Sequence, residues 1–158
     1  MIEMKDNGYE VLRLDNQLCF PLYACARQIV KQYTPLLKPL GLTYTQYILM
    51  MVLWEGGKPT MGEIGKRLFL DNGTLTPMLK KLEKQGYLKR KREKTDERVV
   101  RISLTQQGWD LREAVKHVPA CVAHTLNLTI EEFESIYEIL YKMLDHFEEG
   151  GDMDEYPA

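Results

Sequence analysis

The sequence predicts a mainly α-helical fold that carries one small β-hairpin. Apolar residues recur at the spacing of a helix face in segments on both sides of residues 71–104. Within that stretch a short helical pattern ends at a glycine and is followed by two β-type runs around a polar turn. Helix, tight turn, helix and hairpin in this order predict a winged helix-turn-helix with long terminal helices.

The length of 158 residues suits one domain with a sizeable core. We expect a single domain over residues 1–148, in which residues 43–104 form a DNA-binding unit. Residues 15–37 and 105–148 would supply the dimerisation helices. The acidic segment 149–158 contains Gly and Pro, and we expect this tail to be disordered.

The first long helix is predicted from residue 17 to about residue 37, with Asp15 and Asn16 as N-caps before it. Its apolar face is wider than a lone surface helix needs, which indicates burial against more than one partner. A second copy of the chain is the simplest partner for this face and for that of the last helix. The resulting homodimer would place two recognition helices on successive major grooves of a pseudo-palindromic operator.

Capping-box signatures mark the starts of three further helices. They are Thr43 with Gln46, Thr60 with Glu63, and Thr129 with Glu132. They open helices over residues 44–55, 61–70 and 130–147, of which the first is apolar nearly all round and is the predicted central core helix. Thr105 caps the segment after the hairpin, and Pro119 is expected to kink it.

The helix before the hairpin is the predicted DNA-reading element. It begins at a cap by Asn72 or Thr74, and Gly86 ends it as the residue after the C-cap. Pro77 falls in its first turn or just after it, where few helical hydrogen bonds are sacrificed. Its inner face carries Leu75, Met78, Leu79 and Leu82, and its opposite face carries Thr74, Thr76, Lys80, Lys81 and Lys84.

The hairpin is strongly basic. A strand from Tyr87-Leu88 leads through the cations of residues 89–94 to a turn at residues 95–98 and a return strand at 99–102. Residues 71–104 hold ten Lys and Arg against five Asp and Glu, so their net charge is +5 while the whole chain is −2. This concentration favours a wing beside a DNA groove. The alternative is a lysine-rich surface that only faces water.

Other classes of site are not expected from the composition. Cys19, Cys25 and Cys121 are too few and too irregular for a disulfide framework or a metal site. No cofactor is expected. The sequence has no apolar run of about eighteen residues and no amino-terminal leader, so we expect a cytoplasmic protein that does not enter a membrane.

Four segments resemble the MarR transcriptional regulators, and within them the OhrR branch that senses organic hydroperoxides. They are Leu14–Tyr23, Leu37–Tyr47, Leu70–Glu83 and Asp96–Arg98, and the resemblance covers about residues 13–147. It implies that Cys19 is the redox-sensing cysteine and that Tyr33 and Tyr44 of the partner subunit bond to its thiolate. It also implies that wing Arg98 enters the minor groove with Asp96 beside it. The predicted DNA-binding residues are therefore Asn72, Thr74, Thr76, Lys80, Lys84, Asp96 and Arg98.

Cys19 would lie in the first turn of its helix, where unsatisfied N–H groups favour the thiolate that attacks peroxide. The residues alone favour Cys19, between Leu18 and Phe20, as a small core hydrophobe, and the resemblance favours the sensing role instead. The prediction is a repressor that releases DNA when Cys19 is oxidised. An alternative is a MarR-type repressor switched by a small aromatic or phenolic ligand, with Cys19 inert. A thiol peroxidase is disfavoured because its basic helix and hairpin would have no role, so we do not expect an enzyme.

A sulfenic acid on Cys19 must be resolved by a second thiol. Proteins of the family it resembles use either a small external thiol or a partner-subunit cysteine in the helix after the wing, and Cys121 lies in that helix. Cys25 lies about 9 Å along the axis from Cys19 on another side of the same helix, outside disulfide reach. Cys121 is the predicted resolving cysteine, and packing in the dimer core is the alternative role for it.

Overall fold

A computed structural model describes residues 9–148. The predicted acidic tail, residues 149–158, lies outside the described residues. The chain separates into two compact units, one up to Val122 and one from Ala123 onward.

The described chain is helical apart from one hairpin. Its elements are α1 (Cys19–Leu37), α2 (Tyr44–Trp54), α3 (Met61–Leu68), α4 (Asn72–Lys84), β1 (Leu88–Arg92), β2 (Val100–Leu104), α5 (Gln106–Val115), α6 (Val118–Thr125) and α7 (Ile130–Glu148). Three short 3-10 helices lie at Glu10–Leu12, Leu14–Asn16 and Lys38–Leu40. The predicted order of helix, turn, helix and wing is confirmed. Of the described helices, none alone has the length and apolar composition to cross a bilayer; only residues 19–40 and α2, bent by 75° to each other, satisfy those criteria as a pair.

The first unit is built around α2. Leu49 and Met50 on this helix have no exposed surface, and Leu53 is 2% exposed. They belong to one apolar cluster with residues of α3, α4, both strands and α5. The prediction of α2 as the central core helix is therefore confirmed.

The sheet has two antiparallel strands, with Leu88 opposite Leu104 and Arg92 opposite Val100. An isolated bridge joins Thr60, just before α3, to Arg101 on β2. The N–H of Ile102 also donates to the carbonyl of Pro59 at 2.9 Å. The segment that opens the helix-turn-helix thus pairs with the hairpin, which anchors the base of the wing.

The predicted caps are confirmed at most helix starts. The side chains of Thr43 and Thr60 each close a capping box with the third helical residue. The hydroxyl of Thr129 and the carboxylate of Glu132 make the reciprocal bonds of a third box, at 3.2 and 2.9 Å. The side chain of Thr105 caps α5. Gly86, at φ 84°, ends α4 as predicted.

Two predicted caps are wrong. No side chain caps α1, because Asn16 lies in a 3-10 turn and its side-chain N–H donates back to the carbonyl of Glu10 at 2.8 Å. The cap of α4 is Asp71 rather than Asn72 or Thr74. Its carboxylate accepts from the N–H of Thr74 at 2.8 Å, and a negative charge at this end also suits the helix dipole. Pro77 is accordingly the sixth helical residue, just past the first turn.

The predicted kink at Pro119 is a full break. α5 ends at Val115, and α6 begins at Val118 after a turn at Lys116 and His117. Pro119 lies in the first turn of α6, where its missing N–H would have no helical partner in any case. Proline cannot donate to the carbonyl of Val115, so a continuous helix would lose a hydrogen bond here, which favours the break.

The second unit contains α7, which has no buried residue. Its apolar stripe is exposed from Ile130, at 74%, to Phe147, at 57%. Phe133, Tyr137 and Tyr141 follow one another along the stripe, with neighbouring ring centroids 6.2 and 4.4 Å apart.

Candidate DNA-binding and redox sites

The outward face of α4 follows from its buried face. Leu75, Leu79 and Leu82 are fully buried. At 100° per residue, the positions opposite them are Gly73, Pro77, Lys80 and Lys84, all of them exposed. The lysines were predicted for this face. Gly73 and Pro77 were not, although a helical projection about the leucines would have found them.

The two threonines of α4 do not present free donors. The hydroxyl of Thr74 donates to the carboxylate of Asp71 at 3.0 Å. The hydroxyl of Thr76 donates to the carbonyl of Asn72 at 2.7 Å, and Thr76 is half-buried. The side-chain amide of Asn72 is exposed and makes no hydrogen bond within residues 9–148. Asn72 is thus the small polar side chain of this end that is free to donate.

The wing tip is a tight turn. The N–H of Val99 donates to the carbonyl of Asp96 at 3.0 Å, and the carboxylate of Asp96 accepts from the N–H of Arg98 at 3.0 Å. The guanidinium of Arg98 has no partner among the described residues. The geometry thus holds the backbone of Arg98 while its charged group stays exposed.

The cations of the hairpin fall into two groups. Arg90 pairs with Glu83, Arg101 pairs with Glu93, and Arg92 donates to the carbonyl of Glu97 at 2.9 Å. The other cations are exposed and have no internal partner within the described range. They are Lys89, Lys91 and Lys94, and on α4 Lys80, Lys81 and Lys84. Six lysines and Arg98 therefore make up the charge that is free to meet phosphates.

Cys19 is the first residue of α1 and is exposed, and its thiol is free. It therefore lies at the positive end of the helix dipole, as the sequence predicts. Its backbone precedes Pro21, which has no N–H, in the first turn. Cys25 and Cys121 are also exposed free thiols, on α1 and α6. Burial of Cys19 as a core residue is excluded for the chain as described.

Tyr33 and Tyr44 form an aromatic pair between α1 and α2, with ring centroids 4.7 Å apart. Tyr47 joins them at 5.9 Å from Tyr33. Burial raises the pKa of Tyr33 and of Tyr44 above the ordinary value, so both phenols remain protonated donors at neutral pH. Neither hydroxyl makes a hydrogen bond to another of the described residues.

Cys19 and Tyr33 are far apart within one chain. They lie on the same helix fourteen positions apart, which corresponds to about 21 Å along the axis. The thiol of Cys19 therefore cannot accept a hydrogen bond from Tyr33 of its own chain. Nor do the described residues contain a cluster of three or more His, Cys, Asp or Glu that could hold a metal ion.

The sequence and fold have counterparts among known proteins. A family described as transcriptional regulator SarA/Rot matches residues 31–115. The organic hydroperoxide resistance transcriptional regulator of Bacillus subtilis is 43% identical over 140 residues, which are 89% of this chain and 95% of that protein.

Solved structures of AbfR, a protein of Staphylococcus epidermidis, have the same fold. Reduced AbfR bound to DNA superposes with a TM-score of 0.72 at 38% identity, covering 89% of this chain and 98% of AbfR. A disulfide form of AbfR gives a TM-score of 0.61 at 36% identity, with 87% and 96% covered.

Proposed function

Since the chain belongs to the MarR/SarA family of DNA-binding transcriptional regulators, we propose that it is a dimeric repressor that leaves its operator when an organic hydroperoxide oxidises Cys19. The observation that carries the redox half is the position of Cys19 as an exposed, free thiol at the first residue of α1. A thiolate there benefits from the helix dipole and is open to a peroxide.

The tyrosine pair supports a dimer. Tyr33 and Tyr44 offer two protonated hydroxyls without partners in the described chain, while Cys19 of the same chain lies too far away to use that of Tyr33. A second copy that brings its α1 alongside supplies both the donors for the thiolate and a cover for the exposed side chains of this helix. Phe20, at 42% exposure, and Tyr23, at 59%, are among them. The complete site would then contain Cys19 of one subunit and the tyrosines of the other.

The DNA half of the proposal rests on α4 and the wing. Asn72 has a free amide, which suits the edge of an adenine, and Lys80 and Lys84 lie on the outward face. Thr74 and Thr76 retain their methyl groups and acceptor lone pairs for apolar and water-mediated contacts. Arg98 on the wing tip would enter the minor groove, with Asp96 fixing its backbone.

The oxidation step is a two-electron displacement. The Cys19 thiolate attacks one peroxide oxygen, the O–O bond breaks, and the alkoxide leaves and takes a proton to become the alcohol. The product is a sulfenic acid. A second thiolate then attacks that sulfur and displaces hydroxide. The hydroxide takes up one proton and leaves as water, and the two sulfurs are joined in a disulfide. Cys121 of the partner subunit is the proposed second thiol.

A second candidate follows from the same aromatic pair. The half-buried rings of Tyr33 and Tyr44 with unpartnered hydroxyls would also suit a small aromatic or phenolic ligand that switches the repressor while Cys19 stays inert. The two candidates differ in whether release from DNA needs the sulfur of Cys19.

The experiment is a DNA-binding titration with the region upstream of the chain's own gene, before and after treatment with cumene hydroperoxide. The reduced protein should bind, and the treated protein should release. Cys19→Ser should bind and stay bound after treatment. Cys25→Ser is the matched control, because it removes another exposed thiol from α1 and should respond like the unchanged protein. Release of Cys19→Ser by peroxide would reject the redox proposal.

A further inference from the structure

The carboxylate of Glu83 joins α4 to the first strand of the wing through hydrogen bonds and an ion pair with Arg90. One oxygen accepts from the backbone N–H of Arg90 at 3.0 Å. The other accepts from Nε at 2.8 Å and lies 2.7 Å from a terminal guanidinium nitrogen. Both side chains are about one-third exposed, whereas in the Arg67–Glu55 and Lys116–Glu113 pairs both side chains are more than half exposed.

The strand register explains why Arg90 differs from its neighbours. Side chains alternate across a strand, so Arg90 shares a face with Leu88, which is 1% exposed and belongs to the core. Lys89 and Lys91 lie on the other face and are exposed. Within this basic run, therefore, Arg90 is directed to the body of the unit and the two lysines are directed to the surface.

The position of Glu83 in α4 is unfavourable by itself. It lies in the last turn of the helix, where the dipole disfavours a negative charge, beside Lys84 at the C-terminus. The hydrogen bonds and charge of Arg90 hold the pKa of Glu83 below its ordinary value, so the carboxylate is ionised at neutral pH. The ionic interactions with β1 offset the unfavourable position in the helix.

We propose that Glu83 and Arg90 are positioning residues for operator binding, which fix the wing relative to the recognition helix without contacting DNA themselves. Five residues separate Arg90 in β1 from Lys84, and the backbone hydrogen bonds that close this turn, from Gly86 to Glu83 and from Tyr87 to Leu82, end at Tyr87, so the strand at Arg90 needs a further restraint to the helix. The bonds from the Glu83 carboxylate supply that restraint. This inference rests on the DNA-binding half of the proposed function and is independent of Cys19.

A purely electrostatic role and a positioning role of Glu83 predict opposite changes in DNA affinity for the same substitution. Glu83→Gln removes a negative charge from a surface that meets phosphates, so a purely electrostatic role would make binding tighter. A positioning role makes binding weaker, since an amide in place of the carboxylate cannot form the charge-assisted fork with Arg90. We expect binding to be about five- to tenfold weaker, which corresponds to the interaction energies found between residues in direct contact.

The test is a fluorescence-anisotropy titration with a labelled duplex from the region upstream of the chain's own gene, repeated over a series of salt concentrations. Glu83→Gln and Arg90→Lys should both weaken binding and leave the slope of log affinity against log salt unchanged. Lys91→Gln is the matched control from the same strand. It should weaken binding and lower the salt slope by about one, the change expected when one cation no longer meets a phosphate.

The double variant Glu83→Gln, Arg90→Lys should bind no more weakly than either single variant, because both substitutions break the same interaction. Hydrogen exchange of the Arg90 backbone amide gives a readout that does not involve DNA, and this amide should exchange faster in Glu83→Gln. Binding of Glu83→Gln as tight as the unchanged protein, or a lower salt slope in Arg90→Lys, would overturn the proposal. Failure of the unchanged protein to bind the duplex would instead reject the proposed function.

Discussion

The carboxylate of Asp96 accepts a hydrogen bond from the backbone N–H of Arg98 at 3.0 Å, across the tip of the wing. An aspartate that bonds to the N–H two residues ahead mimics a backbone turn, and it stiffens a loop that carries no regular structure. Asp96 therefore acts on the main chain of Arg98, and the guanidinium is left free for a ligand.

Replacement of Arg98 by Ala should weaken operator binding by about 1 to 3 kcal/mol, because an exposed wing arginine contacts DNA and little else. The thermal midpoint of the free protein should hardly change. Fluorescence anisotropy gives the affinity and circular dichroism the stability. Arg112→Ala, which removes the same charge from α5, is the control and should bind normally. An affinity for Arg98→Ala equal to that of the control would refute the wing assignment.

Much of the fold could be predicted because its signals are local. The capping boxes at Thr43, Thr60 and Thr129 depend on residues three positions apart, and the turn at Gly86 depends on one residue. Such interactions are visible in the sequence wherever the rest of the chain folds. The hydrophobic face of α4 is equally local, since Leu75, Leu79 and Leu82 need only a helix to align.

The features that the sequence did not predict are those in which one group has several possible hydrogen-bond or ion-pair partners. Asp71, Asn72 and Thr74 are all residue types that cap helices well. Asp71 is the cap here because its carboxylate accepts two hydrogen bonds from Thr74, one from the backbone N–H and one from the hydroxyl. The hydroxyls of Thr74 and Thr76, which were predicted to donate to DNA, donate to groups within the chain instead. The pairing of Glu83 with Arg90 required the turn between them and the register of β1. The number of cations in the sequence could not show which of them the fold itself uses.

Phe69 is the bulky exception among the described residues with positive φ. It adopts φ 53°, ψ 42° after α3, where N–H groups of Phe69 and Leu70 bond back to Lys66 and Gly65 at 3.3 and 2.9 Å. This C-terminal motif normally holds glycine. Phe69→Gly should therefore be more stable than Phe69→Ala by about 1 kcal/mol, although glycine is the weaker residue in a helix interior. Urea unfolding of the two variants measures the difference, and equal midpoints would contradict the strain at this position.

The folded protein should become less stable as the pH falls, because the carboxylates at the starts of α3 and α4 become protonated. The N–H of Thr60 bonds to Glu63 and lowers the pKa of that carboxyl, and the N–H of Thr74 does the same for Asp71. A pKa depressed in the folded state contributes stability that is fully present above the ordinary values, 4.5 and 3.8, and disappears as pH falls through the lower folded values. Thermal midpoints recorded between about pH 6 and pH 3 should decline accordingly.

The controls for this decline are Glu63→Gln and Asp71→Asn, which preserve capping without a titratable group. Gln46 already fills the role of Glu63 in the capping box of α2. Both variants should keep most of the stability at neutral pH and show a shallower decline in acid. A pH profile identical to that of the unchanged chain would show that other carboxyls dominate.

Oxidation should join Cys19 of one subunit to Cys121 of the other. Both thiols are exposed and free, and a sulfenic acid on Cys19 needs a second thiol before it is oxidised further. Cys121 lies on α6, which the turn at Lys116 and His117 separates from α5. Cys25 is about 9 Å from Cys19 along α1 and cannot reach it within that helix.

Non-reducing electrophoresis after cumene hydroperoxide treatment measures this bridge directly. A covalent dimer should form in the unchanged protein and in Cys25→Ser, which serves as the control for an exposed thiol outside the proposed pair. It should be absent in Cys19→Ser and in Cys121→Ser. The dimer should also return to monomer on addition of a thiol reductant, because a disulfide is its only covalent link. If treated protein with added small thiol instead runs as a monomer that carries a mixed disulfide on Cys19, an external thiol resolves the sulfenic acid and Cys121 has no redox role.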